Sequence, residues 1–292
     1  GRHNIGVWNW ELEWFPEEWR RYCEVYDEIW TPSTFTAASV SAVSPVPVFV
    51  VPYPLAPEPA PLEALDREAL GLPPDAFVFL FTFDFQSFVE RKNPLAVVRA
   101  FKEAFPEQTD AVLLIKTGHS DADPAALDAL LDAARYRNIR ILDCILSREA
   151  AYRLFDLSDC YVSLHRSEGF GLTMAEAMRA GKPVIATAYS SNLDFMTEEN
   201  AYLVPYTLVE IQRNYGPYRR GAVWAEPDIH TAAELMRHVY EQREEAAAKG
   251  RRAREDVLTL LHPQTVGERV RQRLLAVAQD RGVPVPPGLI PG

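Results

Sequence analysis

Ser167-Glu168-Gly169-Phe170-Gly171-Leu172-Thr173-Met174-Ala175-Glu176-Ala177-Met178-Arg179-Ala180-Gly181-Lys182-Pro183-Val184-Ile185-Ala186-Thr187 is the stretch whose reading decides the fold. The run just before it, Cys160-Tyr161-Val162-Ser163-Leu164, is apolar and rich in β-formers, and it predicts a buried parallel strand. Good helix formers follow Gly171 as far as Gly181, a residue suited to the C′ position. Lys182-Pro183 then stops the helix and begins the next strand. The order is strand, glycine-bearing turn, helix, strand. A helix that opens on such a turn directs unpaired backbone N–H groups and a partial positive charge at whatever lies above it, which favours a phosphate.

Two carboxylates flank that end: Glu168 in the loop and Glu176 about one turn into the helix. Like charges repel at short range, so neither suits a bound phosphate. Both suit neutral hydroxyls on either side of a diphosphate, and a ligand ordered hydroxyls, diphosphate, hydroxyls is a nucleotide sugar. The spacing of Glu168, seven residues and Glu176, with Gly-Phe-Gly after the first glutamate, resembles the signature of the retaining GT-B glycosyltransferases of the large family-four type (group 1).

Gly169-Phe170-Gly171 also opens a dinucleotide fingerprint, with Asp194 at a ribose distance downstream. Its third glycine, however, would fall on Met174, too large where helix and strand pack closely, so a dinucleotide oxidoreductase ranks far below. Taken singly, Glu168 would be a loop residue and Glu176 a solvated helix face; the whole arrangement argues against that.

The 292 residues suffice for one large α/β domain or two smaller ones, and 48% hydrophobic with 24% charged content is ordinary for a globular protein. A net charge of -11 supplies no basic field for nucleic acid. Cys23, Cys144 and Cys160 are widely separated, without metal-ligand spacing, and read as reduced cysteines of a cytoplasmic protein. Neither a signal peptide nor a bilayer-spanning run is apparent; a peripheral membrane contact stays open.

From its start the chain predicts a strand at Asn4–Trp8, a helix over Pro16–Tyr26, a strand at Glu28–Pro32 and a helix capped by Ser33 or Thr34 and running to about Val43. Trp8, Trp10, Trp14, Trp19 and Trp30 crowd these first residues, more indole than two strands and two helices can bury alone. The segment (residues 1–50) resembles the last βαβα portion of a GT-B N-terminal, acceptor-side domain, and the resemblance implies that most of that domain is missing from the chain. A proline-dense crossing follows, Pro45 to Pro61 around Val48-Phe49-Val50-Val51, with residues 51–76 read as an inter-domain linker.

Over residues 77–261 the alternation is regular and predicts a doubly wound, Rossmann-like parallel sheet that binds ligands at the carboxyl ends of its strands. Predicted strands are Phe77–Phe83, Ala111–Lys116, Ile139–Ile145, Cys160–Leu164, Pro183–Thr187 and Ala201–Val204; predicted helices are Pro94–Phe105, Pro124–Tyr136, Arg148–Leu157 and Leu172–Ala180. Asn93-Pro94 and Asp123-Pro124 each pair a capping residue with proline at the first helical position. Thr207–Ala222 reads as an insertion without assigned structure. Helices are then expected at His230–Lys249, Arg251–Leu261 and Thr265–Asp280, the last (residues 262–281) returning to the N-terminal part as the resemblance implies. Residues 282–292 read as a disordered tail.

Arg91 and Lys92 precede the helix at Pro94, where the helix dipole disfavours cations, a conflict that a bound anion would resolve. In the resembled family an arginine and a lysine of this loop hold the donor diphosphate. Lys92 matches the lysine, but the arginine, five residues earlier, falls on Ser87. Two readings stand: Arg91 substitutes, or Ser87 donates a hydrogen bond. His165, at a strand end before Glu168, either meets donor or phosphate or merely bonds the loop.

Ser190-Ser191-Asn192 stands where the family often has glycines; its amides are candidates for hexose hydroxyls. Lys116-Thr117-Gly118 ends another strand and is a weaker candidate for the cleft. Asp143–Leu146 ends the next, where the family places the nucleobase. Asp121-Ala122-Asp123 has the form of a metal motif from the other glycosyltransferase fold class, but capping explains it better before Pro124.

The expected function is retaining transfer of a hexose from a nucleotide-diphosphate sugar to a glycan, lipid-linked or other hydroxyl acceptor, in polysaccharide biosynthesis, without metal or cofactor. Glu168, Lys92 and His165 carry the catalytic expectation; Arg91, Lys92, Ser87, Gly169, Phe170, Gly171, Leu172, Glu176, Leu146 and Asn192 the donor-binding one. A nucleotide-sugar-binding module without transfer activity is the alternative. Self-association through Trp8, Trp10 and Trp14 is a further expectation.

Overall fold

The computed structural model describes residues 2–57, 65–107, 110–282 and 284. Near the N-terminus, Ile5–Val7 (β1), Glu28–Thr31 (β2) and Val48–Val50 (β3) form a parallel sheet in that order. Arg20–Cys23 (α1), entered through a 3-10 turn at Glu17–Trp19, and Thr34–Ser41 (α2) connect them. The helix expected over Pro16–Tyr26 is therefore much shorter. Its last turn goes to the sheet entry instead, where Tyr26 N–H donates to Cys23 O and Asp27 N–H to Asn4 O. Ser33 caps α2, its Oγ accepting from Thr36 N–H at 3.1 Å. The apolar run inside the proline-dense stretch is β3, a strand of this sheet.

The larger lobe holds Phe77–Thr82 (β4), Ala111–Thr117 (β5), Ile139–Asp143 (β6), Cys160–Ser163 (β7), Val184–Thr187 (β8) and Tyr202–Val204 (β9). These six strands are all parallel, in the order β6-β5-β4-β7-β8-β9. Val89–Lys92 (α3), Pro94–Ala104 (α4), Pro124–Ala133 (α5), Arg148–Leu157 (α6) and Leu172–Arg179 (α7) join the strands. Side chains alternate across a strand, and the core divides accordingly. Phe77, Phe79 and Phe81 of β4, with Leu113 and Ile115 of β5, pack on the face that carries α4. Val78 and Leu80, with Val112 and Leu114, pack on the face that carries α7. The chain winds outward from β4 through β5 to β6, then returns to β7 on β4's other side. The carboxyl ends of β4 and β7 therefore flank a switch point, where an open sheet leaves a crevice.

The stretch after β9 is a hairpin of Tyr206–Glu210 (β10) and Val223–Pro227 (β11), paired antiparallel. Ile229–Glu241 (α8), Arg243–Leu260 (α9) and Pro263–Asp280 (α10) are the last helices among the described residues. The break expected near Gly250 falls instead at Gln242. Gly250 is buried within α9 because the helix lies against the end of α7 there: a Cβ would come within 2.3 Å of Gly181 O. Of the capping expectations, Asp123 accepts from Ala126 N–H at 3.0 Å. Asn93 makes no such bond and adopts a left-handed conformation, φ 57°.

Helix α10 lies along the smaller lobe, with Arg273 paired to the buried Glu28 and its guanidinium 3.9 Å from the Phe49 ring centre. Pro59 and Pro61 of the crossing, and the expected disordered tail but for residues 282 and 284, lie outside the described residues.

Most of the crowded indoles are covered by their own chain. Trp10 (2% exposed), Leu12 and Phe15 pack with Ile211, Tyr218 and Trp224 of the hairpin region. The Trp10 ring sits 5.2 Å from Trp19 and 5.8 Å from Tyr218. Trp10, expected at an intermolecular contact, is thus covered by its own chain, and Trp8 is half-buried against Phe15 and Tyr26. Trp14 alone of the three named indoles is exposed, at 42%.

Candidate functional site

Helix α7 opens on Gly171, whose φ of +89° is costly for any residue with a Cβ. A Cβ on Gly169 would also press within 3.1 Å of Trp10 O. Both lobes hold this loop. Glu168 O accepts from Ser191 Oγ at 2.7 Å, Glu168 N–H donates to Ser190 Oγ at 2.9 Å, and Ser33 Oγ of the smaller lobe donates to Gly169 O at 3.0 Å. At its far end α7 stops on Gly181, φ +72°, with Lys182 N–H donating to Ala177 O. The glycines stand where the backbone must turn left-handed or approach closely.

Glu168 is 9% exposed and sits between two cations, Lys92 Nζ at 2.5 Å from Oε1 and Arg91 Nη1 at 3.2 Å from Oε2. Burial alone would raise its pKa, but Lys92 and then Arg91 outweigh it and hold the carboxyl down at about 2. For Lys92 the balance falls the other way: burial lowers its pKa, only partly opposed by Glu168. Arg91 is 5% exposed and also donates to Ser167 O at 2.9 Å and Ser87 O at 3.3 Å. Its guanidinium thus ties the Glu168 loop to the turn that holds Ser87.

A cavity of about 280 Å³ opens beside this cluster, lined among others by Thr82, Ser87, Lys92, Lys116, Thr173 and Glu176. It lies at the carboxyl ends of β4 and β5, against the first turns of α7. Glu176 accepts a hydrogen bond from Tyr152 Oη at 2.6 Å. Burial raises its pKa, opposed chiefly by that tyrosine. The Tyr152 ring is itself covered by the guanidiniums of Arg179, at 4.2 Å, and Arg148, at 5.5 Å. Lys92 and Ser87, singled out from the loop before Pro94, and Glu176, from the α7 stretch, therefore share one cavity.

Other expected residues are placed elsewhere. His165 is fully buried, within reach of Ser163 Oγ (3.0 Å), Tyr189 O (3.2 Å) and Asn192 Oδ1 (3.2 Å). Burial lowers its pKa, so it bonds the loop as a neutral ring. Asn192 spends its Nδ2 on Thr187 O at 3.0 Å. Phe170 is buried, with its ring against Tyr53 and Phe195. Leu146 packs against the core on the α7 face, and Leu172 is 44% exposed. Asp194, the candidate ribose partner of the dinucleotide reading, accepts from Thr34 N–H at 2.7 Å across the lobes, and Met174 is buried core.

Tyr152 escaped the sequence reading because nothing in its neighbourhood marks it. The helical spacing that aims it at Glu176 involves a different helix. Among the described residues, no three His, Cys, Asp or Glu side chains are grouped to hold a metal ion, and no helix is long and apolar enough to cross a membrane.

Residues 63–256 match the family model described as glycosyl transferases group 1. Over 137 residues the chain is 32% identical to a D-inositol 3-phosphate glycosyltransferase from Kineococcus radiotolerans, covering 44% of this chain and 31% of that protein. Among solved structures, sucrose-phosphate synthase from Thermosynechococcus elongatus superposes with a TM-score of 0.67 at 21% identity, over 88% of this chain and 61% of that one. Anabaena HepE, in complex with UDP and glucose, gives 0.68 at 14% identity, over 94% of this chain and 72% of that one. The fold is GT-B in type. The chain spans about a third of the length of the curated relative that it matches.

Proposed function

The chain belongs to the group 1 glycosyl transferases, and from that premise we propose that it binds a nucleoside diphosphate sugar in the cavity at the ends of β4 and β5 and passes the hexose to a hydroxyl acceptor. The observation that carries the reading is the convergence of Lys92, Ser87 and Glu176 on one cavity beside the opening turn of α7. The α7 N-terminus and Lys92 stabilise the diphosphate as it leaves, and Glu176 accepts from the ribose diol.

In this proposal Glu168 keeps its charge under Arg91 and Lys92, and it turns an oxygen to the hexose hydroxyls when Lys92 shifts to the phosphate. Retention follows, by resemblance, if the leaving diphosphate oxygen takes the proton of the incoming hydroxyl on the same face of the sugar. The protein then contributes position and charge rather than a nucleophile, and no metal is needed. His165 supports the loop from within.

Calorimetry with UDP, GDP and ADP, each beside its parent nucleoside, tests the reading. Lys92→Ala is expected to weaken the diphosphate by about ten- to hundredfold and to leave the nucleoside nearly unchanged. Equal losses would remove Lys92 from the phosphate site. Sugar transfer, assayed separately with the matching nucleotide sugar, distinguishes an enzyme from a binding module.

A further inference from the structure

The resembled arginine position is Ser87, and the structure narrows what replaces it. Arg91 is held away from the cavity: its Nη1 is engaged by Glu168 and Ser167 O and its Nη2 by Ser87 O, its Nε is buried, and it is not among the residues lining the cavity. Ser87 is in the cavity but brings no charge. A diphosphate carries at least two negative charges, and the one other cation named there, Lys92, already faces Glu168.

Lys116 lines the same cavity from the neighbouring strand. It pairs in register with Thr82 across β4 and β5. Val78, Leu80, Val112 and Leu114 face α7, so the period of two carries Thr82 and Lys116 onto that face as well. From Thr82 a polar stripe runs across the strand ends. Thr82 Oγ1 lies 3.1 Å from Tyr161 Oη, and Tyr161 Oη donates to Thr173 Oγ1 at 2.8 Å. Thr173 stands in the first turn of α7.

Among the described residues Lys116 has no carboxylate within ion-pair distance. The cavity's two carboxylates are occupied elsewhere. Asp84 accepts from Gln86 N–H and contacts His119, and Glu176 accepts from Tyr152. Lys116 is the uncompensated cation of the cavity, on the same sheet face as the helix end that favours phosphate.

We propose that Lys116 is the second cation of the diphosphate site, supplying from β5 the charge that Ser87 lacks. The assignment rests on the nucleotide-sugar reading above. A lysine in this place grips the phosphate as a point charge, whereas an arginine grips it as a planar fork.

The test uses the full chain, titrated with UDP, GDP and ADP and with the parent nucleosides. Lys116→Met keeps the aliphatic stem and removes the charge. It is expected to weaken the diphosphate about ten- to hundredfold while the nucleoside changes less than about twofold. Ser87→Arg placed in the Lys116→Met chain is expected to recover much of that loss, because it returns a cation to the cavity from the turn that follows β4.

Equal weakening of diphosphate and nucleoside, or no weakening of either, overturns the assignment. So does a double variant that binds no better than Lys116→Met. If Lys92→Ala weakens the diphosphate and Lys116→Met does not, only Lys116 is misassigned. If no diphosphate binds the unaltered chain, the nucleotide-sugar reading itself falls.

Discussion

Glu168 and Glu176 stand on either side of one helix N-terminus, and their surroundings differ in kind. Glu168 is clamped by two cations and pinned through its backbone by Ser190 and Ser191. Glu176 has a single tyrosine and an open cavity in front of it. One carboxyl is driven below its ordinary pKa and the other above it. The same residue type thus serves as a built-in counter-ion on one side and as an adjustable acceptor on the other. A charge buried with partners answers a ligand only when a partner moves, whereas one left beside a cavity answers it directly.

The comparison breaks most visibly if Glu168 is removed. Glu168→Ala leaves Arg91 and Lys92 facing each other without their shared anion, and should cost about 3–5 kcal/mol of stability. Urea unfolding measures this, and a loss under about 1 kcal/mol would make the clamp a surface pair in energetic terms. The pH dependence follows from the same clamp. A carboxyl with a depressed folded-state pKa adds stability that is complete above its unfolded pKa and fades as pH falls through about 2. Acid unfolding of a Glu168→Gln chain should accordingly show a shallower limb than that of the parent.

Glu176→Gln should leave stability nearly intact and damage ribose recognition by about 1.5–3 kcal/mol, the range for hydrogen bonds to a charged group. Calorimetry with ribose and deoxyribose nucleotides decides the point; a parent chain that binds both equally would deprive Glu176 of this role.

Tyr152→Phe sharpens the contrast further, at about 0.5–1.5 kcal/mol in nucleotide affinity. The tyrosine's hydrogen bond pulls the Glu176 pKa down against burial, so its loss should push that pKa higher still. Nucleotide binding that needs the carboxylate would then fade at a higher pH than in the parent. An unchanged acid limb would mean that Tyr152 only fills space.

The parts of the molecule that were legible in the sequence are those whose signals are local. The β-rich runs at Phe77, Ala111 and Cys160, punctuated by Asn93-Pro94 and Asp123-Pro124, expose the alternation of the larger lobe because each strand and each proline-marked helix start is written in adjacent residues, even where, as at Asn93, the expected cap does not form. What escaped depends on distance. Gly250 looked like a helix break, yet it is a place where two elements touch too closely for a side chain. Arg91 and Lys92 stood out by their charge, yet the carboxylate that they share lies on the loop of another strand. The run after Tyr206 is exposed along β10, so its alternation lacks the apolar face that marks a strand. Its purpose appears only in what Trp224 and Tyr218 cover.

That cover has an optical consequence. The six tryptophans of the chain are Trp8, Trp10, Trp14, Trp19 and Trp30 near its start and Trp224 on the hairpin, and none lines the cavity beside Glu176. The ultraviolet emission of the protein therefore originates away from that cavity, largely in the seam where the hairpin of one lobe lies over the indoles of the other. A spectral shift during a titration would record the two lobes changing their mutual fit, while a ligand that enters without disturbing the seam would leave the spectrum silent.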